Sequence, residues 1–264
     1  MAYTGMGPEI TLPATRRRPW GTFKEVVPEI KVESEGADRT AMGVRYMAPG
    51  AYSPILADYS CSSTDTKTGN MTLTEVVQPA YLSFNLLECS TLTGSERRLE
   101  GDLNDIYEAT ISEALAQAAT GLRLSTSHHT LWNDSTILTT GANITETIGN
   151  IEDGLAERIS NEQGYIFVAP RVLAAAKAAG AVFILDGQLY SPGGHLVVSD
   201  AGHGFDNWVF GTGAIGWSVL PVPGTEHSFD RSRNINLWMR EHYGLVVFNP
   251  AHSVRAAITG AASD

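Results

Sequence analysis

Residues 164–181 constrain the fold more than any other stretch, because a proline and a glycine there delimit a short helical segment. The apolar run "GYIFVAP" predicts a buried strand that ends at Pro170. The alanine-rich run "RVLAAAKAAG" predicts a helix that ends at Gly180. The following run, "AVFILDGQLYSPGGHLVVSDAG" at 181–202, predicts a pair of strands. Short strands and helices in this arrangement predict an α+β fold.

A glycine pattern at 209–224, "VFGTGAIGWSVLPVPG", matches the G-x-G-x-x-G order of a dinucleotide-binding loop. That loop needs a helix whose first N–H groups face the pyrophosphate. Pro221 and Pro223 exclude such a helix directly after the glycines. We therefore expect two strands joined by a glycine turn, in which Gly takes positive φ without cost, and no cofactor.

The charge pattern argues against general binding to nucleic acid. The chain has a formal net charge of −11, and only 18% of its 264 residues are charged. Residues 1–50 carry seven Lys or Arg and six Asp or Glu, whereas residues 51–264 carry eleven and twenty-three. Because 43% of the residues are hydrophobic, the surface is either rich in small polar residues or covered by other chains.

The cysteines and the hydropathy pattern predict a soluble protein made in the cytoplasm. Cys61 and Cys89 are too few and too far apart for a metal site, and we expect free thiols. No apolar run approaches the roughly 20 residues of a membrane span, and the first residues contain no apolar core of a signal peptide. We expect no membrane partner.

Residues 1–44 are typical of an extended arm. Prolines and glycines recur through this segment and disfavour a stable helix. The run "TRRRPWGTF" adds basic and aromatic side chains, namely Arg16, Arg17, Arg18, Trp20 and Phe23. An arm of this length is either disordered or ordered against another subunit. The aromatic residues favour contact with another subunit, although the arginines also suit a solvated charge run.

Residues 44–93 predict two strand-rich stretches joined by a polar loop, "ADYSCSSTDTKTGN". Tyr59 lies in that loop and Lys67 lies at its expected tip. An isolated hairpin is marginally stable in water, so a long one is expected to pack on a neighbouring chain. Tyr59 and Lys67 are therefore further candidates for a subunit interface, with simple solubility as the alternative role of Lys67.

Two helices and two closing strands are predicted in the rest of the chain. The apolar spacing at 102–121 indicates a helix that Asp102 caps and Gly121 ends. A second helix is expected at about 144–160. The run at 233–258 predicts two strands, in which Ile235, Leu237 and Met239 share a face that Leu245, Val247 and Val254 can match.

One loop, "SDAGHGFD", brings polar residues close together and allows a hydrolase hypothesis with Asp200 and His203 as its site. A nucleophile of that kind needs a strained turn and partners from separate segments, and the chain contains no G-x-S-x-G. The ordinary interpretation is a polar loop. His128 and His129 are adjacent, which is poor geometry for joint metal ligation, and we expect no metal site.

The order of these segments resembles the major capsid proteins of tailed bacteriophages, which have the Hong Kong 97-type fold. The resemblance lies in "YIFVAPRVLAAAKAAG", "LYSPGGHLVVSDAG", "VFGTGAIGWSV" and "RNINLWMREHYGLVVFNPAHSVRAAI". It covers about 160–258, with weaker positional agreement at 44–122.

The resemblance implies a division of the chain into parts. Residues 1–44 would form the N-terminal arm, and 45–93 the extended loop with peripheral strands. Residues 94–130 would contain the spine helix of the peripheral domain, 131–225 the axial domain, and 226–264 the closing strands of the peripheral domain.

The resemblance also implies a structural, non-enzymatic function and a set of partners. Copies would self-assemble into hexamers and pentamers of an icosahedral shell that encloses double-stranded DNA without sequence specificity. The portal and a separate scaffolding or decoration protein would be further partners, and the location would be the virion capsid, assembled in the host cytoplasm. Lys67 has no identified crosslinking partner, so covalent linkage of subunits is not expected. Bacterial encapsulin shells resemble the same fold and are the nearest alternative, but they tend to begin with a helix.

Overall fold

The computed structural model describes residues 21–31, 43–51, 72–90, 96–220, 226–232 and 235–259. The helices of this part of the chain are α1 (Phe23–Val26), α2 (Glu96–Thr120), α3 (Leu131–Asp134), α4 (Ile144–Ile159) and α5 (Pro170–Ala178). The strands are β1 (Gly43–Pro49), β2 (Leu73–Pro79), β3 (Tyr81–Ser90), β4 (Thr136–Ile137), β5 (Tyr165–Phe167), β6 (Phe183–Leu185), β7 (Gln188–Tyr190), β8 (Leu196–Val198), β9 (Trp208–Thr212), β10 (Ile215–Leu220), β11 (Glu226–Asp230), β12 (Ile235–Phe248) and β13 (Val254–Ala257). Two 3₁₀ turns lie at Ala201–His203 and Pro250–His252.

The described strands form three sheets. Strands β1 and β2 make an antiparallel ribbon. Strand β12 is the centre of a four-stranded sheet, in which β3, β10 and β11 all pair with it in antiparallel register. A seven-stranded sheet has the order β4-β13-β9-β5-β8-β7-β6. The mixture of sheets and helices confirms the predicted α+β class.

Two hydrophobic cores hold these layers together. Helices α4 and α5 cover one face of the seven-stranded sheet, where Ile151, Leu155 and Val254 are buried. The opposite face contributes Phe167 and Phe210 to a second core, which also contains residues of α1, α2, β10 and β12. The second core therefore joins the two larger sheets through α2.

The predicted helices are present, with one difference in extent. Helices α4 and α5 lie where the spacing predicts them, and Pro170 occupies the first turn of α5, where its missing N–H costs nothing. Asn143 caps α4 by accepting a hydrogen bond from the backbone N–H of Glu146 at 2.9 Å. Helix α2 begins at Glu96, so Asp102 lies inside it and the predicted cap at Asp102 is wrong. The charged residues before Gly101 are good helix formers and extend the helix toward its N-terminus.

The closing strands differ from the prediction in their pairing. Residues 235–248 form one continuous strand, so Ile235 and Leu245 lie on the same strand rather than on facing strands. Val254 belongs to β13, which pairs with β4 and β9 in the seven-stranded sheet. Strand β13 therefore completes the seven-stranded sheet, whose other strands lie within residues 131–225. The division of the chain into arm, extended loop, peripheral domain and axial domain stays a prediction.

The three glycines of the apparent nucleotide motif lie where β9 meets β10, as predicted, and no helix follows them in the described residues. The prediction that these positions need glycine for a turn with positive φ is wrong, because none of the three glycines has positive φ. A Cβ atom at Gly211 would lie 2.7 Å from the Ile151 side chain, and one at Gly216 would lie 2.5 Å from Ile30. Close packing, rather than turn geometry, requires glycine at these positions.

Candidate assembly surfaces

The four-stranded sheet is covered by α2 on one face, and its other face is exposed along β3, whereas Leu245 of β12 on that same face is buried. Alternate residues of β3 face α2, and Asn85 there accepts a hydrogen bond from the Thr110 hydroxyl at 3.2 Å. The intervening residues, Leu82, Phe84 and Leu86, are 51%, 59% and 50% exposed. Their cross-strand neighbours on β12 include Met239 and Tyr243, which are half-buried. We call the surface of Leu82, Phe84, Leu86, Met239 and Tyr243 the open sheet face.

The face of this sheet toward α2 is closed by aromatic packing. His242 stacks on Tyr107 of α2, with ring centroids 3.6 Å apart and an interplanar angle of 13°. Tyr81 of β3 fits beside Gly244, where a Cβ atom would lie 2.3 Å from the phenol ring. Burial and, to a smaller extent, the nearby Arg240 together lower the pKa of His242 to about 4. The side of these strands toward α2 is therefore closely packed, while Leu82, Phe84 and Leu86 on the opposite side of β3 are exposed.

One face of the ribbon of β1 and β2 exposes Met47, Leu73 and Val77 beside an ion pair of Arg45 and Glu75 at 2.8 Å. Its base is fixed to the body by polar contacts. The Tyr46 hydroxyl donates to the Phe248 carbonyl at 2.5 Å, and the Asn249 side-chain amide donates to the Pro49 carbonyl at 2.7 Å. Burial raises the pKa of Tyr46 to about 12, so this hydroxyl stays protonated. The antiparallel pairing of β1 with β2 confirms that the two strand-rich stretches predicted at 44–93 contain paired strands.

Phe23 does not lie on an exposed arm. Its side chain is fully buried in the second core, where its ring centroid lies 5.9 Å from that of Phe167. Its backbone N–H donates to the Asp200 carboxylate, and the Trp217 indole N–H donates to the Val27 carbonyl at 2.9 Å. The prediction of Phe23 as an interface residue is therefore corrected, since residues 21–31 pack on the body of their own chain and include the short helix α1.

The other predicted interface residues lie outside the described residues. This applies to Arg16, Arg17, Arg18 and Trp20 of the arm and to Tyr59 and Lys67 of the extended loop. Their role in contacts between subunits stays a prediction.

The residues of the hydrolase hypothesis have separate structural contacts. The Asp200 carboxylate accepts hydrogen bonds from the Ser112 hydroxyl at 2.7 Å and from Phe23. The His203 ring is buried, and its Nε2 lies 3.3 Å from the Phe167 carbonyl oxygen. Burial lowers the pKa of His203 to about 4. The two side chains therefore contribute to packing and do not form an exposed acid and base pair.

Neither a metal-binding cluster nor a membrane-spanning helix is found among the described residues. They contain no group of three or more His, Cys, Asp and Glu side chains placed to hold a metal ion. None of their helices is both long enough and apolar enough to cross a membrane.

The sequence predicts the strands of the open sheet face but does not predict that the apolar residues of β3 are exposed on it. The alternation in "YLSFNLLE" carries the signal, because Leu82, Phe84 and Leu86 recur at every second position. The residues between them, Ser83 and Asn85, are polar, so the pattern by itself predicts the apolar side to be buried. The structure shows the reverse, since Tyr81 is buried and Ser83 and Asn85 are half-buried toward α2, whereas the three apolar residues are exposed.

Comparison of sequences finds no family model and no curated protein that matches this chain. Comparison of structures finds matches that extend over nearly the whole chain. The capsid of a native GTA particle matches with a TM-score of 0.60 and 10% identity, covering 97% of this chain and 95% of that one. A structure of Mycobacterium phage Cain matches with a TM-score of 0.58 and 8% identity, covering 97% and 96%.

A virus-like particle from Pyrococcus furiosus also matches, with a TM-score of 0.50 and 11% identity over 89% of this chain and 92% of that one. At these identities the similarity concerns the fold. The chain therefore has the Hong Kong 97-type fold of viral capsid and virus-like particle shells.

Proposed function

We propose that this protein is the major capsid protein of a tailed double-stranded DNA phage, which self-assembles into hexamers and pentamers of an icosahedral shell. The observation that carries the proposal is the structural match over 97% of the chain to the capsid of a GTA particle. The function of such a protein resides in its interfaces rather than in a catalytic site. The exposed apolar surfaces described above supply candidates for those interfaces.

The amount of exposed apolar surface supports assembly. Monomeric soluble proteins rarely expose contiguous apolar patches larger than a few hundred Å². Here Leu82, Phe84 and Leu86 are each at least half exposed on one strand, and Met47, Leu73 and Val77 are similarly exposed on the ribbon. Burial against neighbouring copies would stabilise both surfaces in the shell.

The arm and loop complete the proposed contacts. Trp20 and the arginines at 16–18 would order against a neighbouring subunit, as would Tyr59 and Lys67 of the extended loop. The acidic body, with eleven basic and twenty-three acidic residues at 51–264, suits a wall that repels packed DNA. The portal and a separate scaffolding or decoration protein are the further proposed partners, with assembly in the host cytoplasm.

A compartment shell of the encapsulin kind is the second candidate. The match to the Pyrococcus furiosus particle favours it. That match covers 89% of this chain at a TM-score of 0.50, against 97% at 0.60 for the GTA capsid. The phage capsid function is therefore the one that the comparison favours.

Negative-stain electron microscopy of the purified full chain, together with size-exclusion chromatography, tests the proposal. We expect closed shells, or rings of five and six copies that convert to shells as concentration or salt is raised. A small oligomer of fixed size under all these conditions would contradict self-assembly. Deletion of residues 1–20 tests the arm separately, and unchanged assembly of that variant would contradict its proposed role.

A further inference from the structure

The β6–β7 hairpin at one edge of the seven-stranded sheet is uncovered by the described residues. Phe183, Ile184 and Leu185 are 43%, 43% and 54% exposed. Because successive strand residues point to opposite faces, both faces of β6 are apolar and open. Asp186 and Gly187 form the tip, and both have positive φ. An apolar edge strand of this kind is a site where another chain can add.

The opposite edge of the same sheet is also apolar and open. Ile137 of β4 is 61% exposed. The register places Ile137 beside Arg255 of β13, and Arg255 beside Phe210 of β9, so the three side chains share one face of the sheet. That face is buried at Phe210 and becomes exposed toward β4. The face of the sheet that lines the second core therefore extends to this edge, where the described residues do not cover it.

Arg255 lies on this face, next to the indole rings of Trp132 and Trp208. Its guanidinium carbon lies 4.2 Å from the ring centroid of Trp132 and 5.2 Å from that of Trp208. Its Nη1 donates to the Trp132 carbonyl, whereas its Nε is buried and has no acceptor among the described residues. None of the described carboxylates forms an ion pair with it at 4.0 Å or less. Tryptophan and arginine are the residues most enriched at the energetic centres of protein interfaces.

We propose that the β6–β7 hairpin of one copy docks on the surface of Trp132, Ile137 and Arg255 in a second copy. The Asp186 carboxylate at the hairpin tip would face the Arg255 guanidinium, while Leu185 would contact Ile137. Asp186 is exposed and has no cationic partner among the described residues. The two surfaces therefore complement each other in charge as well as in apolar character.

The positions of the two surfaces fit a ring of subunits. They lie at opposite edges of one sheet, so a contact between them joins copies head to tail. Contacts between unlike surfaces close into rings when the rotation between neighbours permits it. The inference rests on the proposed function, because rings of five or six copies are the units of that shell.

A double-mutant cycle tests the contact in the full-length chain. We expect Asp186→Asn and Arg255→Gln each to raise the protein concentration needed for half-maximal assembly by about tenfold, as the loss of an interface anchor does. The double variant should be no weaker than the weaker single variant, because the two groups act on each other. Asp153→Asn and Lys177→Gln, at other surface positions, are the matched controls and should assemble like the wild type.

The outcomes separate this contact from the shell function. Wild-type shells together with normal assembly of both single variants, or additive effects in the double variant, would overturn the contact alone. A wild-type protein that forms no rings or shells would overturn both. If Arg255→Gln unfolds in thermal denaturation, Asp186→Asn decides the question, because asparagine tolerates the positive φ of this exposed position. Leu185→Ser adds an independent test and should also weaken assembly.

Discussion

The carboxylate of Asp200 accepts a hydrogen bond from the backbone N–H of Phe23 at 3.1 Å, across 177 positions of sequence. The same oxygen accepts a second hydrogen bond from the Ser112 hydroxyl of α2 at 2.7 Å. One buried carboxylate thus ties residues 21–31 to the body and satisfies two donors at once. Asp200, which the hydrolase hypothesis places in a catalytic site, therefore has a structural role.

Asp200→Ala should destabilise the folded protein by about 1–3 kcal/mol, because it leaves the Phe23 N–H and the Ser112 hydroxyl without this acceptor. Denaturant unfolding of the unassembled protein measures the loss. Asp206→Ala is the matched control, since Asp206 forms an exposed ion pair with Arg171 and should contribute less than about 1 kcal/mol. Equal effects of the two substitutions would contradict the assigned role of Asp200.

Gly211→Ala should destabilise the protein by about 1–3 kcal/mol through overpacking against Ile151 and Val254. Gly149→Ala is the matched control, because Gly149 lies within α4 and a Cβ atom there would meet nothing within 4 Å. That control should stabilise the helix by up to about 1 kcal/mol. Thermal melting of both variants compares the two effects, and a neutral Gly211→Ala would show that the backbone at β9 has room for a methyl group.

Phe84→Ser should impair assembly while leaving the melting temperature of the unassembled protein nearly unchanged, because Phe84 is 59% exposed on the open sheet face. Phe210→Ala provides the contrast, since Phe210 is fully buried and its truncation should cost about 3–5 kcal/mol. Size-exclusion chromatography and calorimetry separate the two readouts. Normal assembly of Phe84→Ser would remove the open sheet face from the proposed interfaces.

The stability of the protein should fall as the pH is lowered from about 6.5 toward 4. His203 and His242 are held neutral with pKa values of about 4, whereas an unfolded histidine has a pKa near 6.5. Within this window the unfolded chain binds protons that the folded chain does not, so acid favours unfolding. Proton binding to these histidines therefore costs no stability above about pH 6.5, and the loss of stability grows progressively as the pH falls toward about 4.

Thermal unfolding at a series of pH values between about 7 and 5 checks this, because most carboxylates stay ionised in that range. The slope should reach at most about 1.4 kcal/mol per pH unit for each histidine, and His203→Gln should reduce it. A slope that His203→Gln does not alter would contradict the low pKa assigned to His203.

The sequence by itself determined the local elements whose signals lie within a few residues. Pro170 and Gly180 delimit α5, because prolines and glycines act on their own turn of backbone. The ribbon of β1 and β2 and the strands around Gly211 were likewise predicted from their residues. The α+β class and the resemblance to the Hong Kong 97-type fold follow from the order of these elements.

Only the tertiary structure decided what the side chains of those elements contact. The alternation of Leu82, Phe84 and Leu86 predicts one apolar face, but the position of α2 determines that this face is the open one. The glycines at 211 and 216 are required by Ile151 and Ile30, which approach from distant segments. Phe23 is buried because Asp200 and Phe167 lie beside it, far away in sequence. Burial and close packing depend on which segments meet in space, and that information is distributed over the whole chain.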